Sequence, residues 1–194
     1  TDLDSAADAV RSGSSELDIA ERFGSSFIKY FNGIRELSNL INGVPRTERT
    51  IGYWCWGPTG SGKSRWAHSI PGGKYQKDPS TKWFDHYNFE ETVIIDDFRP
   101  SKELSFNKLL NLADHYPMLV ERKGGSCQFN SKRIIVTTPH DIGRTFEHLE
   151  FLHGDIAQVI RRFVQIEFGP GKLSPQLELL EAQVQEVPME ESVP

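Results

Sequence analysis

Eight consecutive residues, Gly57-Pro58-Thr59-Gly60-Ser61-Gly62-Lys63-Ser64, have the types and spacing to hold a phosphate. They read G-x-x-x-x-G-K-S. The glycines let the backbone turn tightly, so that several N–H groups point at one anion. A helix opening at Lys63 adds its positive N-terminal end. In such a loop Lys63 reaches the β- and γ-phosphates of a nucleotide and Ser64 gives its hydroxyl to Mg²⁺. A second element complements it. Val93-Ile94-Ile95 is a short continuous apolar run, as in a buried parallel strand, and it ends on Asp96-Asp97. Carboxylates at the C-terminal end of such a strand face the ligand crevice. Asp96 is then expected to hold Mg²⁺ through its water shell, and Asp97 to orient or deprotonate the attacking water.

The elements that must position these groups are legible around them. Thr50 to Trp56 is β-branched and aromatic, as a strand prefers. Lys63 to Ile70 carries Trp66, Ala67 and Ile70 at helical spacing, and Pro71 to Thr81 reads as a Gly/Lys/Pro-rich connection. Phe106, Leu109, Leu110 and Ala113 form the apolar stripe of a helix over 105–115, which Pro117 stops. Two strand-like runs then flank Lys123-Gly124-Gly125, a hairpin signal with a cationic tip. Ile134 to Thr138 is another buried-type strand ending at Pro139, and a polar group there would approach the γ-phosphate or the attacking water. A helix over 155–163 carries Arg161-Arg162, a pair whose ordinary use is surface ion pairing, and 164–168 is a last strand.

Residues 1–43 predict three short amphipathic helices, capped at Asp4 or Ser5 and at Ser14 or Ser15. The third has Phe27, Tyr30, Phe31, Ile34, Leu37 and Ile41 at three- and four-residue steps. So thin a core must pack on something, either the α/β body or a neighbouring subunit. Residues 173–194 hold five glutamates and no Lys or Arg, which accounts for the whole net charge of −5 and leaves the body neutral. The stripe of Leu177, Leu180, Val184 and Val187 is compatible with one short helix or a partner-docking segment, while low cationic content and terminal position favour disorder. A neutral body with a few focused cations is compatible with gripping a nucleic-acid backbone. No apolar run is long enough for a membrane helix. Cys55 and Cys127 have no metal-type spacing and are expected to pack in a reducing compartment. The chain opens on Thr1 rather than Met, from which we expect a piece of a longer protein.

Taken together, the chain resembles the superfamily 3 helicase domain of the replication-initiator (Rep) proteins of circular single-stranded DNA viruses such as circoviruses. The resemblance covers about residues 50–168. It rests on Gly57 to Ser64, on Lys82-Trp83-Phe84-Asp85-His86-Tyr87, and on Val93 to Phe98. It is most distinctive at Asp114 to Gly125 and ends with Arg161-Arg162-Phe163. It implies an α/β, AAA+-like P-loop NTPase over 46–170, with a central mostly parallel sheet flanked by helices. Outside the resemblance, residues 1–45 read as a helical oligomerisation collar or an intramolecular cap, and residues 171–194 as an acidic, flexible tail. The resemblance implies an ATP- and Mg²⁺-dependent 3′→5′ DNA helicase of rolling-circle replication, working in the host nucleus as a ring, hexameric in this family, around single-stranded DNA. The family's members carry an upstream endonuclease domain, and host replication proteins are further candidate partners. Residue by residue, Gly57 to Ser64 bind nucleotide, and Asp96 and Asp97 are the Walker B acids. Arg122, Lys123 and Gly124 lie in a DNA-tracking loop, and Arg161 or Arg162 is an arginine finger acting in trans. One departure stands out. Where the family ends its third motif on Ser or Thr followed by Asn, this chain has Thr137-Thr138-Pro139, so Thr138, or Thr137, takes the sensor role. Two other functions fit the same residues: an NTP-regulated oligomeric scaffold without motor activity, and an RNA helicase of the picornavirus type, against which the Lys-Gly-Gly run argues.

Overall fold

The computed structural model describes residues 1–147, 156–172 and 174–186. The strands are β1 (Ile51–Trp56), β2 (Lys74–Lys77), β3 (Thr92–Ile95), β4 (Leu119–Arg122), β5 (Gly125–Gln128), β6 (Arg133–Thr138) and β7 (Phe163–Glu167). Five of them form one sheet in the order β2-β3-β6-β1-β7, and every pairing in it is parallel. The sheet is buried on both faces, because successive side chains of each strand point to opposite sides. Trp54, Val93, Ile95, Ile134 and Val136 face one core, while Tyr53, Cys55, Ile94 and Ile135 face the other. Trp54 anchors the first, with Phe98, Phe146 and Phe163 at ring-centroid distances of 5.7, 5.9 and 5.8 Å.

The helices are α1 (Asp2–Arg11), α2 (Glu16–Arg22), α3 (Gly24–Asn42), α4 (Lys63–Ser69), α5 (Phe106–Leu112), α6 (Ile142–Thr145), α7 (Ile156–Arg162) and α8 (Leu177–Glu186). Residues of α5, α6 and α7 pack in the Trp54 core, and those of α4 and α8 in the Tyr53 core. The chain is thus three layers deep, helices on either side of a parallel sheet.

Helices α1 to α3 enclose a separate small cluster of Ala6, Ala9, Val10, Ile19 and Ile34. The first cap is Thr1 rather than Asp4 or Ser5, in a capping box with Asp4; Ser15 and Asp18 form the second box. Helix α3 bends at Tyr30, whose φ/ψ of −122/20° is not helical, and Ile28 and Leu40 on it are 83% and 75% exposed. Arg46 locks the exit from these helices to the body. Its buried guanidinium donates to the carbonyls of Tyr116, Leu112 and Asn111 and to the Thr50 hydroxyl. It thereby satisfies carbonyls at the C-terminus of α5 that no helical N–H reaches.

Three features depart from expectation. The segment read as a connection over 71–81 contains an edge strand, β2. Hydropathy hid it, because Lys77 is fully buried, with its ammonium on the carbonyls of Asp78 and Thr81 and over the Phe84 ring. Helix α5 ends at Leu112 rather than His115. In the segment whose composition favours a flexible tail, the alternative of one short helix is what forms: α8, with Leu177 buried in the Tyr53 core, Arg133 Nε on Glu181 at 2.5 Å and Trp66 Nε1 on the Pro175 carbonyl. Residues 187–194 of that segment, and Asp155 of the helix expected over 155–163, lie outside the described residues.

Candidate functional site

The glycine loop leaves the C-terminal end of β1, an interior strand flanked by β6 and β7, and returns as α4. At Gly57 φ is +140°, and a Cβ there would lie 2.0 Å from the carbonyl oxygen of Phe168, so only glycine lets the loop start. At Gly60 and Gly62 φ is also positive, but the space above both is open, as an anion cradle requires. Lys63 Nζ folds back onto the loop, donating to the carbonyls of Gly57 (2.8 Å) and Pro58 (2.7 Å) and lying 3.4 Å from Ser61 Oγ. Burial lowers its pKa, against the attraction of Asp96 and Asp97.

The acid pair sits beside it. Asp96 Oδ1 accepts from Ser64 Oγ at 2.7 Å and from Thr137 Oγ1 at 2.5 Å. Thr137 Oγ1 in turn accepts the backbone N–H of Asp97 at 3.0 Å. Burial opposes the Asp96 charge, but the two hydroxyls and the nearby His68 outweigh it, so its carboxyl lies below the usual range. Asp97 occupies the left-handed region at φ 49°, its side chain turned outward and paired with Arg99 at 3.1 Å. The residues fit a magnesium nucleotide. Gly57 to Ser64 supply the cradle, and Lys63 has donors that now rest on the loop's own carbonyls. Ser64 and Asp96 form the hydroxyl–carboxylate pair that a hard divalent cation takes. A bound cation would neutralise phosphate charge there.

The structure sorts the remaining candidates. Thr137, not Thr138, bonds to both acids; Thr138 is buried and lines a separate cavity with Phe98, Arg99, His140 and Arg144. Arg161 and Arg162 stand at the opposite edge of the sheet. Residue 163 pairs with Gly52 at the start of β1, while the loop follows Trp56. The gap is roughly 13 Å at about 3.3 Å per strand residue. Arg162 pairs with Asp114 at 3.0 Å, and Arg161 is exposed. Lys123 and Gly124 form the two-residue tip of the antiparallel β4–β5 hairpin, with the Lys123 side chain 75% exposed. Arg122, expected to touch DNA, is instead buried, its guanidinium donating to the Tyr87 carbonyl at 2.9 Å and to Asn39 Oδ1. It straps the hairpin to α3, because the β4 alternation points it inward beside Val120 while Glu121 faces out. Burial raises the pKa of both Cys55 and Cys127, leaving them inert packing groups. Arg46 and Thr137 were the residues hardest to find in sequence. An arginine after a helix breaker is common, and adjacent threonines differ only by which face of β6 they occupy.

A parallel sheet with a glycine loop after an interior strand, β1, and an acid pair at the end of β3, one strand removed across β6, defines a P-loop NTPase-like domain. Comparison with known proteins narrows the class. Residues 53–140 match the RNA helicase family model. The chain is 41% identical over 138 residues to the replication-associated protein of Pigeon circovirus, covering 71% of this chain and 43% of that protein. It is 39% identical over 136 residues to that of Beak and feather disease virus (70% and 46%), and 36% over 141 residues to that of Porcine circovirus 2 (71% and 44%). The chain therefore belongs to the circovirus-type replication-associated proteins, as their superfamily 3 helicase domain, and spans about half the length of the relatives it matches. A crystal structure of NtrX from Brucella abortus aligns over 79% of this chain and 43% of its own with a TM-score of 0.40 and 15% identity, below the level at which overall folds coincide. No described helix is long and apolar enough to cross a membrane.

Proposed function

We propose that this domain is an ATP- and Mg²⁺-dependent DNA motor that moves 3′→5′ along a single strand during rolling-circle replication of a viral genome in the host nucleus. One observation carries the reading: the Ser64–Asp96–Thr137–Asp97 network coexists in one chain with an exposed lysine at the tip of a short hairpin. The network organises hydrolysis. Asp96 stays ionised at neutral pH, and Thr137 holds the backbone at Asp97 so that its carboxylate reaches outward toward a water. The hairpin grips phosphates without reading bases, so affinity falls with salt and depends little on sequence.

The domain works as a ring of identical subunits, hexameric by the family's pattern, with AAA+-like sites at the seams. The placement of β6 between β1 and β3 supports that assignment, and so does the distance of Arg161 and Arg162 from their own loop. The exposed Ile28 and Leu40 of the N-terminal helices suit a collar between subunits. An upstream endonuclease domain in the full-length chain and host replication proteins are its further partners.

Steady-state ATPase and strand-separation assays test the reading. We expect hydrolysis stimulated by single-stranded DNA, and a Lys123→Ala protein that hydrolyses ATP but does not unwind. Normal unwinding by that variant would remove the hairpin from the mechanism. No turnover with or without DNA would favour a nucleotide-regulated scaffold. Because the matching family model describes an RNA helicase, duplexes of both kinds belong in the assay, and preference for RNA would overturn the DNA assignment.

A further inference from the structure

Asp85 Oδ1 accepts the backbone N–H of Lys123 at 2.8 Å, and its Oδ2 lies 3.3 Å from the Lys123 ammonium. A backbone N–H beside an ammonium is the donor pair a phosphate takes. Here an internal carboxylate holds it, kept below the usual carboxylate range first by that N–H and then by the ammonium. Beside this contact lies a cavity of about 230 Å³ between the hairpin and α3, lined by Arg35, Asp85, His86, Arg122 and Lys123. Arg122 is its wall, with its guanidinium already engaged. Arg35 is less committed. It stacks on Phe31 at 4.8 Å, and its buried Nε meets Glu16 Oε1 only at 3.5 Å, an ion pair without a hydrogen bond. The segment presenting Asp85 is held out of relaxed geometry, with φ at 65° for His86 and 62° for Phe89. Phe84 N–H on the Glu121 carbonyl and Tyr75 Oη on the Asp85 carbonyl fix it in place.

We propose that this cleft seats a backbone phosphate of single-stranded nucleic acid, and that Asp85 occupies the phosphate's place until the strand displaces it. This rests on the hairpin being the tracking element, and it adds two residues that the hairpin alone does not supply. Arg35, from the N-terminal helices, becomes a phosphate ligand. Asp85 becomes an internal competitor that keeps Lys123 pointed at the seat and lowers affinity for nucleic acid.

The test is fluorescence anisotropy of the whole chain with a labelled oligo-dT of about twenty nucleotides, enough to cover a site, across a salt series. Asp85→Asn keeps an oxygen for the Lys123 N–H and removes the competing charge, so we expect binding roughly fivefold tighter. That gain must vanish in the Asp85→Asn, Lys123→Ala double variant. Arg35→Gln should weaken binding several-fold and flatten the log–log salt slope by about 0.7, the value for one phosphate contact on a single strand. If Lys123→Ala weakens binding while Asp85→Asn binds no tighter or Arg35→Gln keeps the full slope, the seat is overturned and the tracking hairpin survives. If Lys123→Ala itself changes neither affinity nor slope, the hairpin reading and the seat fall together. Should Asp85→Asn fail to fold, as judged by its circular dichroism, the Arg35→Gln slope decides alone.

Discussion

The two edges of the parallel sheet are chemically unlike. At the C-terminal edge, Lys63, Ser64, Asp96, Asp97 and Thr137 come from three strand ends and converge, with hydrogen bonds running between loop, acid and hydroxyl inside one chain. At the N-terminal edge, Arg162 leans on Asp114, and Arg49 holds the Arg161 carbonyl. The first edge gathers a lysine, two carboxylates and two hydroxyls beside a glycine loop. The second offers cations without a site. Within one chain a strand's length, roughly 13 Å, separates them; in the proposed ring a neighbouring copy would bring them together. On the proposed ring reading, strand topology builds the nucleotide cradle and assembly would supply the arginine.

The comparison breaks most completely at the loop. Lys63→Ala should leave no measurable ATP hydrolysis, a loss on the order of 10³-fold or more, because the cation that follows the β- and γ-phosphates is gone. Residual turnover near the wild-type rate would mean that the C-terminal edge is not the nucleotide site. Next, loss of the finger arginine should cost about 10³-fold, the lower end for such a residue. Mixing Lys63→Ala chains with Arg161→Ala or Arg162→Ala chains should restore hydrolysis at hybrid interfaces. No rescue with either arginine would show that the two edges never meet. Arg161 is the better candidate, being exposed, while Arg162 is tied to a half-buried carboxylate.

A smaller effect separates the two threonines. Thr137→Val should lower kcat by roughly 10- to 100-fold, by releasing Asp97 and one donor to Asp96. Thr138→Val should stay within about threefold, since it touches neither acid. Equal losses would remove the distinction. The smallest expected effect is on pH-dependent stability. The folded-state pKa of Asp96 is depressed, so the stability it contributes is complete above the ordinary Asp pKa and is lost as pH falls through the folded value. Thr137→Val raises that pKa. The gap between wild-type and variant urea midpoints should therefore be widest near neutral pH and narrow below about pH 4. A gap that grew in acid would contradict the hydrogen bond's role.

Much of this was legible in the chain. The glycine loop, β3 with its acid pair, the strand over 134–138 and the hairpin tip all follow from local spacing, because loop conformation and strand alternation are set by neighbouring residues. What local spacing could not show is where side chains from distant segments meet. Arg122 and Lys123 are adjacent cations in sequence, yet the pleat buries one against Asn39 and exposes the other. Lys77 and Arg46 look like surface charges, and each is buried on backbone carbonyls supplied by turns or helix ends that the sequence does not announce. The glutamate-rich C-terminal segment is anchored by Leu177 and Glu181, two residues whose partners lie far up the chain.

By itself, then, the sequence determined the phosphate chemistry, since a cradle of glycines with a lysine and a hydroxyl needs only one turn of contiguous chain. It also determined the parallel α/β class, through apolar runs alternating with helical stripes. Only the tertiary structure decided which threonine serves the acids, which of two adjacent cations is available, and that the arginine pair lies a full strand away from its own loop. Those choices depend on register and on burial across the sheet, and they arise only when the strands are laid side by side.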